Sequence, residues 1–245
     1  MNKIKLFSIL FISAFVFSSC EDEVEAPGTP FVAFESNLSD VTVAPGAPLT
    51  KTINVYSANT TGSDRSVNLV VKDNSTIGSS SYTMPSSVTI PANASSASFD
   101  IVFVEDGLDI VQDQILAVAM ESSELYTGED ISLNVAKGCA PGSSKLKISV
   151  TVDNWPEEVY WRIRNASTGE YMLASQDSPG YGGLAGTASG TTLTDAACLP
   201  AGDYLFQIYD QYGDGAGACS ITVDGVQIFA TSGAYGAGTE LPFSI

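Results

Sequence analysis

KLKISVTVD, Lys145 to Asp153, is the stretch whose reading decides the fold. Leu146, Ile148, Val150 and Val152 alternate without a break with Lys147, Ser149, Thr151 and Asp153. A period of two places the apolar set on one face of a strand and the polar set on the other. The segment is therefore a β-strand with one face in a core. The same period recurs upstream. In LTKTINV, 49 to 55, Leu49, Ile53 and Val55 share a parity broken only by Lys51; in ASFDIVFV, 97 to 104, Phe99, Ile101 and Phe103 share a face and Asp100 points away. No long run of helical period competes with these strands.

Outward from that strand the chain divides in two. Before it, candidate strands lie at 31–35, 41–45, 49–57, 66–72, 87–91, 96–105, 114–121 and 131–137, separated by Gly, Pro, Asn and Ser. After it they lie at 159–164, 170–175, 191–199, 203–210, 219–229 and 240–245, with Asp224-Gly225 as a tight turn because that pair suits positive φ. Gly138 to Ser144 reads as a linker by composition. The expected fold is all-β: an immunoglobulin-like sandwich over 31–137 and a jelly-roll-like sandwich over 145–245.

The N-terminus is of another kind. Lys3 and Lys5 precede an apolar stretch from Leu6 to Phe17, too short for the roughly 20 residues that span a bilayer as a helix. Residues 1–19 read as a signal peptide. Ser18, Ser19 and Cys20 at its end resemble the lipobox of bacterial lipoproteins, which implies lipidation of Cys20 and membrane attachment through that anchor. Glu21, Asp22, Glu23 and Glu25 follow in an acidic tether, residues 20–30, stiffened by Pro27 and Pro30. An acidic run there is similar to the signal that sends Bacteroidetes lipoproteins to the outside of the outer membrane.

Composition narrows the function. Removal of residues 1–19 lowers the ten basic residues to eight against 28 acids, a net charge of −20. That balance disfavours nucleic acid as a partner and favours cations. The chain has no histidine, which removes Ser-His-Asp and Cys-His nucleophiles and HExxH zinc sites.

Two further resemblances follow from longer segments. YTMPSSVTIPANASSASFDIVFVEDGLDIVQDQILAVAM, 82 to 120, resembles the Calx-β-like and related immunoglobulin-like modules of Bacteroidetes lipoproteins. Its acidic loop, Glu105, Asp106, Asp109 and Asp113, offers carboxylates to a hard cation but suits a solvated loop better in so acidic a chain. TVDNWPEEVYWRI and CLPAGDYLFQIYDQYGDGAG, within 145–245, look like a β-sandwich module that recurs beside secreted bacterial hydrolases and in surface proteins. That family's extra cysteines are not matched, since Asp203 and Ala216-Gly217 stand where they would fall.

The YGDG segment can be read without the resemblance. With Asp210 as position 1, Asp214 is position 5 and Gly215 position 6, the first half of a calcium loop. Tyr212 at position 3 and Ile221 at position 12 fail as side-chain ligands, so a helix–loop–helix site is excluded. Remaining oxygens must come from DNWPEE: Asp153, Asn154, Glu157 or Glu158, with a backbone carbonyl near Tyr212. Calcium is the expected ion, since magnesium demands rigid octahedral geometry and keeps its waters. Trp155, Tyr181, Tyr212 and Tyr235 are candidate aromatics for stacking on a sugar or peptide, against core or rim packing as the plain alternative.

With Cys20 lipidated, Cys139, Cys198 and Cys219 remain, an odd number that suits one bridge and one thiol outside the cell. Sequence allows all three pairings; Cys139 with Cys198 is favoured because both flank the strands outside the YGDG turn. The expected function is a non-catalytic surface lipoprotein, a binding or adhesion module, with an extracellular glycan or protein as ligand. Two alternatives stand beside it: an accessory glycan- or peptide-binding subunit of an outer-membrane uptake system, and a carboxylate-dependent hydrolase. The last is disfavoured because adjacent Glu157 and Glu158 point opposite ways on extended chain and cannot flank one bond.

Overall fold

In the computed structural model the described residues are 30–36, 38–176 and 180–245. The predicted signal peptide, Cys20 and the acidic tether up to residue 29 lie outside them. Ten strands build the first sandwich: β1 (Phe31–Phe34), β2 (Val41–Val43), β3 (Leu49–Ser57), β4 (Arg65–Val71), β5 (Tyr82–Thr83), β6 (Ser87–Ile90), β7 (Ser96–Phe103), β8 (Gln114–Glu121), β9 (Tyr126–Thr127) and β10 (Ile131–Lys137). They form two sheets, β5-β7-β3-β1-β9 and β2-β10-β8-β4-β6. Pairing is antiparallel except for β1 with β9 and β2 with β10, which are parallel.

The inward parity of these strands makes the first core: Ile53, Val55, Ile101 and Phe103 face Leu116, Val118, Leu133 and Val135. Leu49 departs from the expected pattern. It shares the parity of Ile53 but lies at the strand's end, beyond the core, and is exposed. β8 is apolar at five successive buried positions, Leu116 to Met120, because its outer face is also covered. There Lys72 N–H donates to Ala117 O and Ser75 Oγ accepts from Ala117 N–H. β5 and β9, two residues each, are too short to show a period and were not foreseen.

Arg65 opens β4 and is buried. Its guanidinium donates to Asn59 O at 2.7 Å, to Ala94 O at 2.6 Å and to Ser57 Oγ, and so ties the end of β3 and two loops to one end of the sandwich.

The linker is shorter than its composition implies. Ser143 and Ser144 already pair with Pro200 and Leu199, so the connection ends at Gly142. Cys139 within it is bonded to Cys198. Lysines complete the junction: Lys145 Nζ lies 3.7 Å from Asp113 Oδ1, and Lys147 Nζ donates to Val111 O at 2.9 Å. Asp113 thus serves the domain junction, Glu105 accepts from Gly46 N–H, and Asp109 closes its own turn on Val111 N–H. Three of the loop's four acids thus have partners within the protein.

Eight antiparallel strands build the second sandwich: β11 (Ser143–Thr151), β12 (Val159–Asn165), β13 (Tyr171–Ala174), β14 (Thr192–Pro200), β15 (Asp203–Asp210), β16 (Cys219–Val223), β17 (Val226–Thr231) and β18 (Gly238–Ser244). Sheets β14-β11-β16-β17 and β13-β12-β15-β18 face each other. Leu146, Ile148 and Val150 of the opening stretch meet Ile163, Phe206 and Ile208 in the core. Asp224 and Gly225 both take positive φ, 47° and 79°, and join β16 to β17 by the expected turn.

Cys219 is the free thiol, buried in this core. Burial pushes it from the ordinary 9.0 up to about 12. Below pH 9 the thiol is protonated in both folded and unfolded chains. Between pH 9 and 12 only the unfolded chain ionises, so stability falls across that window. Urea melts at pH 8, 9.5 and 10.5 should show this loss, and Cys219→Ala should lessen it, most clearly at pH 9.5, below the ordinary range of the tyrosines. Native protein should also resist iodoacetamide at pH 8.5 and react once unfolded.

Candidate metal site

Strand register brings the two motifs together. β12 pairs with β15 so that Val159 stands opposite Asp210. The short 3-10 turn Pro156–Glu158 runs directly into β12, which leaves Glu158 beside the residue that ends β15. Gln211 N–H donates to Glu158 O at 2.9 Å and extends the ladder one step past the strand. DNWPEE therefore meets YGDG through the start of β12, whereas β11, which carries the residues before Asp153, belongs to the opposite sheet.

Asp210 is only 2 % exposed. Its Oδ1 accepts from Tyr212 N–H at 3.0 Å and Gly213 N–H at 2.6 Å, folding the loop back over the carboxylate. Gly215 then takes φ +81°, and a Cβ there would lie 2.1 Å from Gly233 O. Only glycine fits that close approach. With the loop so held, one carboxylate oxygen from each of Glu158, Asp210 and Asp214 falls within 4.8 Å of the others. Glu158 answers to this crowding: partial desolvation first, and then the charges of Asp210, Asp214, Glu157 and Asp153, hold its carboxyl above the usual range.

The carboxylates of Asp153 and Glu157 do not join the three. Asp153 turns its Oδ1 to Trp155 N–H in its own loop, and Asn154 Oδ1 accepts from Ser189 Oγ at 2.8 Å. Glu157, adjacent to Glu158, contributes its backbone carbonyl to Gly182 N–H. Tyr212 points outward and is 74 % exposed. Of the expected seven, three carboxylates converge, and Asp153 Oδ1 and Asn154 Oδ1 are engaged in other hydrogen bonds. All three donors are hard anionic oxygens, the type calcium takes.

Among the candidate aromatics, Trp155, Tyr181 and Tyr212 are exposed at 57 %, 45 % and 74 %. Tyr235 is not an open platform. It packs against the second core, and burial pushes its phenol well above the ordinary range. A different aromatic group, absent from the expected set, lies on the outer face of β12 and β15, where Tyr160 and Tyr209 have ring centroids 5.1 Å apart. Their alternation with core residues was the available signal.

No family profile matches the chain, and no curated protein does. Solved structures do match, at the level of overall shape. A Bacteroides ovatus protein of unknown function is 14 % identical, with 88 % of this chain and 93 % of that one covered and a TM-score of 0.42. A candidate carbohydrate-binding protein, also from Bacteroides ovatus, is 14 % identical over 85 % and 71 %, at 0.41. CBD12 from CALX1.2 is 11 % identical over 78 % and 81 %, at 0.36. Likeness of this degree says nothing of function.

Proposed function

We propose that the chain is a non-catalytic, surface-presented binding protein, held to the outer membrane through lipidated Cys20, whose C-terminal sandwich is completed by calcium. The observation that carries the cation is the convergence of Glu158, Asp210 and Asp214 around one point with Asp210 buried. Three carboxylates this close repel one another, and a divalent cation relieves the repulsion while fixing the loops at that edge. The anchor and exterior location rest on the signal peptide, the cysteine that follows it and the acidic tether. The ion's role is structural: it would hold the loop ends that carry Trp155 and Tyr212.

Thermal unfolding of residues 21–245 with calcium and with chelator tests this. Free calcium at a hundredfold excess over Kd stabilises by about 2.7 kcal/mol, a rise of roughly 10 °C or more for a sandwich of about 100 residues. Asp210→Asn keeps the turn-closing acceptor and removes a charge, so it should lose most of the shift; Asp214→Ala should do the same. An unchanged midpoint at millimolar calcium would sink the reading.

A further inference from the structure

The outer face of sheet β13-β12-β15-β18 has a composition unlike the rest of this acidic chain. Core residues Trp161 and Ile163 alternate on β12 with Tyr160, Arg162 and Arg164, so two of the chain's three arginines emerge side by side on one open face. Arg162 is held rigidly. Its Nε donates to Gln207 Oε1 at 2.7 Å and its Nη1 to Tyr171 Oη at 3.0 Å, and its guanidinium carbon lies 5.5 to 5.9 Å from the ring centroids of Tyr171, Tyr160 and Tyr209.

Neither arginine has a carboxylate within 4.0 Å among the described residues, although the chain holds 28 acids against ten bases. One acid of this face, Glu240, feels both guanidinium charges from beyond ion-pair distance while its Oε1 accepts from Tyr209 Oη and from Gln207 Nε2. Arg164 Nε is buried with no acceptor. Two guanidinium groups that share one carboxylate, and so keep a net positive charge, therefore sit in a frame of tyrosine rings, of which Tyr171 is half exposed.

We propose that this face binds a carboxylated saccharide, a uronic-acid unit of a glycan, with the two arginines taking the carboxylate and Tyr171 stacking on the sugar ring. The planar guanidinium fork matches a carboxylate in two parallel hydrogen bonds, and an exposed aromatic ring offers an apolar face with a polar rim. A peptide cannot add as a strand beside the arginines themselves, because β12, which carries both, is paired on both sides, by β13 and by β15. The site deepens the reading of the chain as a binding protein but does not use the cation.

The test is calorimetric titration of residues 21–245 with trigalacturonate, its trimethyl ester and triglutamate, each with calcium and with chelator. Trigalacturonate should bind in both conditions, and the neutral ester and triglutamate at least tenfold more weakly. Arg164→Gln should weaken trigalacturonate about tenfold or more, Arg164→Lys less, and Tyr171→Ala about fivefold, all with unfolding midpoints near that of the parent. Failure of trigalacturonate to bind, equal binding of the ester, or equal binding of triglutamate overturns the proposal. Binding that disappears with chelator assigns the carboxylate to the cation and overturns it as well. Binding that survives chelator, in a protein with no calcium-dependent midpoint, sinks the calcium reading and leaves this one standing.

Discussion

Reduction of the Cys139–Cys198 bridge should lower the stability of the second sandwich by about 4 kcal/mol. The bridge closes a loop with a sequence separation of 59, and cross-linking a loop of that length restricts the unfolded chain by about that amount in the chain-entropy description. The loop contains β11, β12, β13 and most of β14, half of the sandwich, so its unfolded freedom is large. The pair Cys139→Ser, Cys198→Ser, compared with the parent in urea, should move the midpoint of the second sandwich and leave that of the first in place. The partition follows because Cys139 precedes β11 and Cys198 belongs to β14, so the closed loop runs through the second sandwich and includes no strand of the first. Equal loss in both sandwiches would show that the bridge acts through the domain junction instead.

Arg65→Met should destabilise the first sandwich by about 3 kcal/mol. The substitution keeps an apolar stem of similar length but leaves Asn59 O and Ala94 O without the donor that now satisfies them. Each buried acceptor deprived of its partner costs about 1 to 3 kcal/mol. Arg65→Lys should recover only part of this, since one ammonium cannot reach three acceptors held by a planar fork. Chemical denaturation followed by the first domain's transition measures both variants, with the second domain's transition as the internal control.

The two cores were legible because their residues obey the period of two. LTKTINVYS, QILAVAME, ISLNVAK and DYLFQIYD become strands with the same bounds that their patterns imply. Arg65 was not legible, since a charge at the start of a strand looks like a solvated end and only the convergence of two loops on the end of β3 buries it. The metal candidates show the same division. Asp210, Asp214 and Gly215 are local in sequence and could be read as half a loop. Glu158 could be told from Glu157, Asp153 and Asn154 only by strand register and by hydrogen bonds across loops, such as that from Ser189 to Asn154. The tyrosine and arginine face was hidden for a related reason: Tyr160, Tyr171 and Tyr209 lie on three strands and become neighbours only in the sheet.

The pairing of Val159 with Asp210 carries one more consequence. Successive residues of a strand face opposite ways, so sliding β12 by one position along β15 would turn Val159, Trp161 and Ile163 out of the core. The same slip would carry Glu158 away from Asp210. The carboxylate triad is thus a fiducial mark for alignment, present in full when β12 and β15 are correctly zipped and absent in any shifted pairing. Its formation during refolding should coincide with burial of Trp161, the event that commits the sheet to its native alignment.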